Sequence, residues 1–336
     1  MMKKIAINGF GRIGRLAFRK LWKEKSVEVV AINDLTDAKT LAYLLEHDTA
    51  QGLFLKGKIS YKEGKLIVDG KEIIVCSERE PNNLPWKQLG VDIVIESTGF
   101  FRTKEKAQLH IDAGAKKVVI SAPASGEMPT IVFGVNHKEL TKEDTIISGA
   151  SCTTNCLVPL VYVLNKEFGL KRGLMTTIHA ATNDQRILDL PHSDLRRGRS
   201  VFNNIIPTDT GAAIAVGKVM PEMNGKLDGY SLRIPAVTGS IVDLTCELEK
   251  NVTAEEINQA MEKYAKGYLS KTMEYNDQPI VSTDVYGSSF GSIFDATLTK
   301  VIETDGKQMV KVFSFYDNEM SYVSQMIRTT IYFAAL

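Results

Sequence analysis

The sequence predicts an α/β protein of two domains, a doubly wound parallel sheet followed by an α+β domain whose sheet is mixed or antiparallel. Its 336 residues exceed the length at which one hydrophobic core usually keeps growing. Apolar strands alternate with helical patterns up to about residue 150. Beyond that point, strands follow one another through hairpin-like turns with few helices. A single large barrel is the alternative.

The first half of the chain shows the alternation most clearly. Residues 3–7 are predicted to form a strand, residues 11–22 a helix, and residues 27–32 a second strand buried on both sides. Further strands are predicted at 92–96 and 117–121. The helix between them, 103–114, begins at a Thr N-cap and ends at a Gly. Such βαβ order favours a parallel sheet.

The second half of the chain has a different pattern of predicted strands and helices. Strands are predicted at residues 174–179, 231–234, 241–249, 296–302 and 309–315, and a helix at 253–266. Helical spacing returns at 320–335, and we expect this last helix to dock on the first domain. The expected domains are therefore 1–151, completed by 318–336, and 152–317.

Charge and composition exclude several classes of function. The chain has 41 basic and 40 acidic residues, so its net charge of +1 provides no global field for nucleic acid or an anionic membrane. It has neither a signal-peptide pattern nor an apolar run of about 18 residues, and we expect a cytoplasmic protein. Four cysteines in a chain of this length do not form a disulfide framework and are expected as thiols.

A glycine-rich turn lies between the first strand and the first helix. Gly9 permits the tight turn, Gly11 lets the backbone approach a pyrophosphate, and Gly14 lets helix and strand pack closely. The helix N-terminus, with Arg12, attracts phosphates. Asp34 follows the second strand, where a carboxylate accepts hydrogen bonds from ribose hydroxyls. Taken together, strand, helix, second strand and acid predict a Rossmann-type dinucleotide site, although Asp34 alone could cap a loop.

A cysteine stands just before the apolar run at 157–164, which is predicted to be a helix. Cys152 is the candidate nucleophile, because a helix N-terminus stabilises a thiolate and lowers the pKa of the thiol. Cys156, one turn later, is expected to pack, and Cys76 and Cys246 to be small buried hydrophobic residues. The Cys-x-x-x-Cys spacing has no second ligand pair nearby, so no metal site is predicted.

A base is required for this nucleophile, and the chain has five histidines. His179 ends an apolar strand and could reach a thiol at a helix terminus, although a histidine there is often structural. The other four have polar or surface-like surroundings: His47, His110, His137 and His192.

Three segments together resemble the signatures of phosphorylating glyceraldehyde-3-phosphate dehydrogenases: residues 7–15 (INGFGRIGR), 150–156 (ASCTTNC) and 316–319 (YDNE). The resemblance extends along the whole chain, and the cysteine segment is its most specific part. It implies oxidation of glyceraldehyde 3-phosphate to 1,3-bisphosphoglycerate with NAD, through a thiohemiacetal and a thioester. The alternatives are an erythrose-4-phosphate dehydrogenase or a secondary binding or adhesion role.

The resemblance also implies roles for individual residues. Cys152 becomes the nucleophile and His179 its base and later acid. Two anion sites are implied, for the substrate phosphate and for inorganic phosphate, and the matching positions are Ser151, Thr153, Thr182, Arg197, Thr210, Gly211 and Arg233. Residues 208–211, before a helix predicted at 212–219, independently suggest an anion site at a helix N-terminus.

The cofactor contacts implied by the resemblance are spread along the chain. They are Gly9, Phe10, Gly11, Arg12, Ile13, Gly14, Asp34, Arg79, Thr98, Gly99, Phe101, Ser121, Asn318 and Tyr322. Asn318 is expected to orient the nicotinamide amide. The family is homotetrameric, and residues 181–202 resemble its S-shaped loop at a subunit contact. Within that loop, Leu190 and Pro191 match relatives that use NAD rather than NADP.

Overall fold

The computed structural model describes residues 2–336, which divide into two compact units. Unit 1 comprises the described residues up to Ile131, together with His137–Ala150 and Met326–Leu336. Unit 2 comprises Val132–Asn136 and Ser151–Gln325. The domain limits drawn from the sequence, with the whole of 318–336 assigned to the first domain, stay a prediction.

Unit 1 is built on one eight-stranded sheet. Its strands are β1 (Lys3–Asn8), β2 (Val27–Asn33), β3 (Ile59–Lys62), β4 (Lys65–Val68), β5 (Lys71–Cys76), β6 (Ile93–Glu96), β7 (Lys117–Ile120) and β8 (Ile146–Ser148). Its helices are α1 (Arg12–Leu21), α2 (Ala38–Glu46), α3 (Trp86–Leu89) and α4 (Lys104–Asp112). The spatial order of the strands is β3-β4-β5-β2-β1-β6-β7-β8. The six strands from β5 to β8 in that order pair in parallel, and β3 and β4 add an antiparallel edge.

The position of β1 in this sheet locates a ligand site. The chain moves outward from β1 to β2 on one side and from β6 to β7 on the other, so the strand order reverses between β1 and β6. Parallel α/β sheets bind nucleotides at the carboxyl ends of the strands at such a switch point. The strand residues Ile5, Ala6, Ile7 and Ile93 are fully buried, which explains their uninterrupted apolar runs.

Unit 2 contains a second eight-stranded sheet, of mixed direction. Its strands are β9 (Leu170–Ala180), β10 (Ile206–Asp209), β11 (Leu227–Ile234), β12 (Ser240–Leu248), β13 (Met273–Asn276), β14 (Ser292–Asp295), β15 (Lys300–Thr304) and β16 (Lys307–Tyr316). The order is β10-β11-β9-β12-β16-β14-β13, with β15 paired to β16. Strand β9 pairs in parallel with β11 and antiparallel with β12. These two sheets confirm the predicted fold class.

The remaining helices are α5 (Cys152–Phe168), α6 (Val216–Val219), α7 (Ala254–Lys266) and α8 (Met320–Ala335). Helix α7 starts with a capping box in which Thr253 and Glu256 satisfy each other's backbone N–H groups. The end of α8 belongs to unit 1, where Lys117 donates to the Phe333 carbonyl (2.8 Å) and lies over the Phe333 ring. No helix among residues 2–336 is long and apolar enough to cross a membrane.

Two predicted elements differ in the structure. The helix expected at 212–219 has only the four residues of α6, because residues 212–215 form turns, in which Ala212 and Ala213 are nevertheless buried. The strand expected at 296–302 begins as a 3-10 turn at Ala296–Leu298, where Asp295 accepts the Thr297 N–H, and becomes strand β15 only at Lys300. In both cases an apolar run was compatible with more than one local structure.

Candidate active site

The glycine-rich turn follows β1 in unit 1 and has the expected shape. Gly9 has φ +88°, and a Cβ there would lie 2.7 Å from the Thr98 nitrogen. A Cβ on Gly14 would collide with the Gly9 carbonyl oxygen. A Cβ on Gly11 would meet nothing within 4 Å, so the space above this residue is open. Gly9 and Gly14 are therefore packed tightly against other parts of the protein, whereas the space beside Gly11 is free, as a bound pyrophosphate requires.

Asp34 lies directly after β2 and holds this turn. Its Oδ2 accepts the Phe10 N–H (2.7 Å), and its Oδ1 accepts the Thr36 N–H (2.9 Å). Because each carboxylate oxygen has a second lone pair, both can still accept a ribose hydroxyl. Arg12 donates to Asp48 (2.6 Å), so its charge is already compensated. The attraction of phosphate to this turn therefore depends mainly on the backbone of the α1 N-terminus.

The other predicted cofactor contacts of unit 1 lie at or near strand ends. Phe10 is fully buried, so only its backbone is available to a ligand. Arg79 and Gly99 are exposed, whereas Ile13, Thr98, Phe101 and Ser121 are partly buried. The Ser121 N–H donates to the Glu96 carbonyl (2.9 Å), which fixes the end of β7 against that of β6.

Cys152 is the first residue of helix α5 in unit 2. Ser151 is the N-cap, and its Oγ accepts the Thr154 N–H (3.0 Å). The preceding Ala150 has φ +59°, a left-handed conformation that costs a non-glycine residue about 1–2 kcal/mol. This turn places the thiol at the amide end of the helix, as the sequence predicted.

His179, near the end of β9, faces this thiol. Cys152 Sγ and His179 Nε2 are 3.3 Å apart. His179 Nδ1 lies 2.7 Å from the Ala180 carbonyl oxygen, which can only accept, and 2.7 Å from Arg233 Nη1, which can only donate. Nε2 is the ring nitrogen that faces the thiol, which is the position required of a base.

Arg233 on β11 is the cation of this site. Its Nη1 lies 2.7 Å from His179 Nδ1 and 3.4 Å from the Ala180 oxygen, to which it can donate. Burial raises the pKa of Cys152, an effect that the Arg233 guanidinium opposes. Burial and the same guanidinium lower the pKa of His179 to about 3. The expectation that the pKa of the Cys152 thiol is lowered is therefore wrong. That expectation took the helix terminus into account but not the burial of the thiol.

Tyr316 joins this cluster from β16; it belongs to the YDNE segment, for which the sequence predicts no role at this position. Its hydroxyl lies 2.8 Å from Thr153 Oγ1 and 2.8 Å from Thr177 Oγ1, and its ring stands edge-on to His179. The Thr153 hydroxyl, predicted to bind phosphate, is thus already in contact with Tyr316. The first position of the YDNE segment was the available signal, because a buried tyrosine hydroxyl usually has a partner.

The remaining predicted phosphate ligands are distributed around β9 to β11 and the loop that follows β9. Arg197 forms ion pairs with Asp184 and Asp194. The N–H and hydroxyl of Thr182 donate to Gln185 Oε1. Thr210 Oγ1 accepts the Ala212 N–H (3.2 Å), and Gly211 is exposed. Because α6 begins only at Val216, the helix expected directly after residues 208–211 starts later than predicted, and phosphate binding by Thr210 and Gly211 stays a prediction.

The burial of the other cysteines and histidines can be compared with what the sequence predicts for them. Cys156 is buried, and burial raises its pKa to about 12, so its packing role is confirmed. Cys246 is likewise buried, whereas Cys76 is only partly so. His110 and His137 are 0% and 8% exposed, so surface-like surroundings are wrong for both. The surroundings of His110 are polar but buried, since Trp86 and Glu96 contact its ring nitrogens.

Asn318 and Tyr322 lie beyond β16 in unit 2. Asn318 Oδ1 accepts a hydrogen bond from the Ser240 hydroxyl (2.9 Å), which itself accepts the Ala180 N–H (3.1 Å). This leaves the Asn318 amide nitrogen available as a donor, as recognition of a nicotinamide carbonyl requires. Ser240 was not predicted and has no motif of its own. Tyr322 is buried, and its hydroxyl has no partner among residues 2–336.

Comparison with known proteins agrees with this geometry. Residues 3–104 match the NAD binding domain of glyceraldehyde 3-phosphate dehydrogenase, and residues 151–318 match its C-terminal domain. The chain belongs to the glyceraldehyde-3-phosphate dehydrogenase family. Glyceraldehyde-3-phosphate dehydrogenases of Clostridium pasteurianum and Clostridium acetobutylicum are each 56% identical to it, covering 100% of this chain and 99% of the relative. The enzyme of Streptococcus pyogenes is 54% identical over the same shares.

Membership of the glyceraldehyde-3-phosphate dehydrogenase family confirms the predictions of the family, of NAD as cofactor and of a dehydrogenase. NAD fits the turn described above, since Gly11 leaves open the space that a pyrophosphate needs and Asp34 keeps lone pairs for a ribose. The roles of individual site residues stay predictions.

Proposed function

We propose that this chain catalyses the phosphorylating oxidation of D-glyceraldehyde 3-phosphate to 1,3-bisphosphoglycerate, with inorganic phosphate as the second substrate. The observation that carries the proposal is the 3.3 Å approach of Cys152 Sγ to His179 Nε2 at a helix N-terminus. A nucleophile next to a base divides a difficult oxidation into two easier covalent steps.

The chemistry follows from the position of His179 Nε2 opposite Cys152 Sγ. His179 Nε2 takes the thiol proton as Cys152 Sγ adds to the aldehyde carbon, and passes it to the carbonyl oxygen, giving a thiohemiacetal and a neutral imidazole. NAD, when bound, supplies the hydride acceptor. His179 Nε2 then takes the hydroxyl proton of the thiohemiacetal as the same carbon loses its hydride, which leaves a thioester on Cys152. Attack by a phosphate oxygen breaks the carbon–sulfur bond, and the products are the acyl phosphate and the Cys152 thiolate.

Arg233 supports this assignment electrostatically. Its guanidinium is the cation that lowers the pKa of Cys152 against the effect of burial, so it stabilises the thiolate that leaves in the last step. Its Nε is buried without a partner among residues 2–336. A buried donor of this kind is costly unless a ligand satisfies it, and a phosphate oxygen is a suitable acceptor.

We further propose a cytoplasmic homotetramer. One face of the unit 2 sheet exposes Leu174, Tyr230 and Met309 beside a cavity of about 750 Å³. Exposed apolar patches of this kind are typical of subunit interfaces. Light scattering should give four times the chain mass, and Tyr230→Glu should reduce it. Tyr61→Glu, at a similarly exposed tyrosine of unit 1, should leave it unchanged; a wild-type monomer would contradict the proposal.

The reaction is tested by following NAD reduction spectrophotometrically with glyceraldehyde 3-phosphate and with erythrose 4-phosphate, each with and without inorganic phosphate. We expect glyceraldehyde 3-phosphate to have the higher kcat/KM, and sustained turnover only with phosphate. Sustained turnover without phosphate, giving a free acid, would contradict the proposal in favour of a hydrolytic aldehyde dehydrogenase. A higher kcat/KM for erythrose 4-phosphate would contradict the assigned substrate.

A further inference from the structure

A buried polar cluster lies beneath the dinucleotide turn of unit 1, and no step proposed above uses it. At its centre is Glu96, the last residue of β6, with 1% of its surface exposed. Around it are Asn8, Asn33, Trp86, Thr98 and His110, from five different parts of the unit. A buried carboxylate persists only where donors compensate the lost hydration.

One side of the cluster fixes the state of His110. The Trp86 indole N–H can only donate, and it points at His110 Nδ1 (3.1 Å). His110 Nδ1 is therefore the unprotonated nitrogen, and the ring proton is on Nε2. That proton is donated to Glu96 Oε2 (3.0 Å), so Glu96 is compensated here by a neutral donor rather than by a cation.

The other side fixes the orientation of two amides. The Glu78 backbone N–H donates to Asn33 Oδ1 (2.9 Å), so Asn33 Nδ2 is the donor toward Asn8 Oδ1 (2.6 Å). Asn8 in turn has only its Nδ2 to offer Glu96 Oε2 (2.6 Å). Each bond in this series determines the direction of the next, and the last acceptor is the Glu96 carboxylate.

Glu96 Oε1 completes the set. It accepts both the N–H (2.7 Å) and the hydroxyl of Thr98, two residues further along the chain. The carboxylate therefore receives four hydrogen bonds, and every partner is a donor whose direction is fixed or strongly favoured. An amide in place of this carboxylate would present one of its own N–H groups to another donor.

The members of the cluster stand next to the predicted cofactor contacts. Asn8 precedes Gly9, Asn33 precedes Asp34, Glu78 precedes Arg79, and Thr98 is itself a predicted contact. The segments that carry these contacts follow β1, β2, β5 and β6, four neighbouring parallel strands. One acceptor thus holds, directly or through the two asparagines, the ends of all four.

We propose that Glu96 is a positioning residue for NAD: its carboxylate fixes the relative arrangement of the four segments that form the dinucleotide pocket. It contacts them through hydrogen bonds and takes no part in hydride transfer. The inference rests on the cofactor contacts predicted at Gly9, Asp34, Arg79 and Thr98. Its signature is a change in NAD affinity under the isosteric substitution Glu96→Gln.

The test measures the Kd of NAD by titration calorimetry and the melting temperature of the protein without added NAD. We expect Glu96→Gln to raise the Kd by about tenfold or more. This is the size of effect expected when one hydrogen bond to a charged group beneath the pocket is lost. Asp295→Asn is the matched control, because Asp295 is equally buried and accepts the N–H and hydroxyl of Thr297, also two residues further along. It should lower the melting temperature but leave the Kd within about twofold, since Asp295 belongs to unit 2 and the cluster to unit 1.

Two further variants address the direction of the hydrogen bonds. Asn8→Asp combined with Glu96→Gln reverses one donor and one acceptor, and it should bind NAD more tightly than Glu96→Gln alone. Asn33→Asp leaves Glu96 intact but turns a donor toward Asn8 into an acceptor, so it should also weaken NAD binding. It provides the test if Glu96→Gln does not fold.

The possible outcomes distinguish failure of the predicted cofactor contacts from failure of the role proposed for Glu96. An unchanged Kd in Asp34→Ala would contradict the predicted cofactor contacts themselves. A raised Kd in Asp34→Ala with a wild-type Kd in Glu96→Gln, or in folded Asn33→Asp, would overturn the role of Glu96. Equal changes in Kd for Glu96→Gln and Asp295→Asn would also overturn it, since they would indicate a loss of stability alone.

Discussion

The two units each contain a buried polar cluster, and the clusters differ in how completely they are satisfied. In unit 1, four donors of the protein converge on the Glu96 carboxylate. In unit 2, buried polar atoms lack partners among residues 2–336, notably Arg233 Nε and the Tyr322 hydroxyl near the thiol, and Gln185 Nε2 beside Thr182. Most buried polar atoms in proteins are paired, so this contrast is informative.

The contrast indicates two ways of preparing a ligand site. A satisfied cluster fixes the shape of a pocket before the ligand arrives. A cluster with unpaired donors requires the ligand to complete it, and an anion does this best when a guanidinium is among the donors. We therefore expect substitutions in unit 2 to affect chemistry and anion binding, and substitutions in the unit 1 pocket to affect the cofactor.

The largest effect is expected at the nucleophile. Cys152→Ser should abolish dehydrogenase activity while NAD still binds, because a serine hydroxyl has no comparable anion population near neutral pH. The measurements are kcat and the Kd of NAD. Cys156→Ser is the matched control on the same helix and should retain much of the rate, since Cys156 is buried and its pKa is raised to about 12.

Iodoacetamide provides an independent check on the same pair. It should label Cys152 with loss of activity, and NAD reduction should stop in proportion. Labelling of Cys156 with Cys152 unmodified, accompanied by loss of activity, would overturn the assignment of the nucleophile.

The next effect concerns the anion. Arg233→Lys should raise the KM for the sugar phosphate by about tenfold or more, because an ammonium group cannot reproduce the planar donor pair of a guanidinium. NAD affinity should change little, since the predicted dinucleotide turn is in unit 1. Steady-state kinetics with each substrate varied would show this, and an equal loss for both substrates would contradict it.

A smaller effect is expected on the pH dependence of thiol reactivity. The Arg233 guanidinium lowers the pKa of Cys152 against burial, so removing it in Arg233→Gln should raise that pKa further. The thiolate fraction at a given pH then falls, and the midpoint of iodoacetamide alkylation moves to higher pH. Arg172→Gln, at an exposed arginine paired with Glu247, is the control. A midpoint that moves to lower pH would contradict the electrostatic role of Arg233.

The smallest effect is expected on the preference for NAD over NADP when Asp34 is substituted. Asp34 would face the 2′-phosphate of NADP, and two unit charges about 4 Å apart repel by about 4 kcal/mol at an effective dielectric of about 20. Even after solvent screening, a preference of about a hundredfold for NAD is expected. Asp34→Asn should help NADP only in part, because it removes a repulsion without supplying an attraction.

Adding Leu190→Ala and Pro191→Ser to Asp34→Asn should help NADP further, because both side chains are exposed and can donate no hydrogen bond to a phosphate. The measurement is kcat/KM for both cofactors in wild type, single and triple variants. A wild type that uses both cofactors equally would contradict this prediction.

The parts of both sites that the sequence predicts are local ones. The strand, the glycine turn and Asp34 lie within one βαβ unit, and Cys152 directly precedes its helix, so spacing along the chain is enough. Glu96 and His110 were missed as a pair because their partners come from β1, β2 and the segment before β6, far apart in sequence. A signal was present nevertheless: β1, β2 and β6 are apolar strands that end in Asn8, Asn33 and Glu96.

Burial was the other property that the sequence did not reveal. The helix terminus alone predicts a lowered pKa for Cys152, whereas packing of the site raises it. The apolar run at 212–219 likewise predicts a helix, although turns precede α6 there. Both errors come from contacts between distant segments, which local patterns do not encode.

The central claim, that Cys152 carries the acyl group and phosphate removes it, can be tested directly by trapping the intermediate. The enzyme is mixed with NAD and glyceraldehyde 3-phosphate in phosphate-free buffer, quenched in acid, digested and analysed by mass spectrometry. We expect the mass of the acyl group on the Cys152 peptide and its disappearance when phosphate is added before the quench. An acyl group on Cys156, or no adduct on either cysteine despite formation of NADH, would contradict the account.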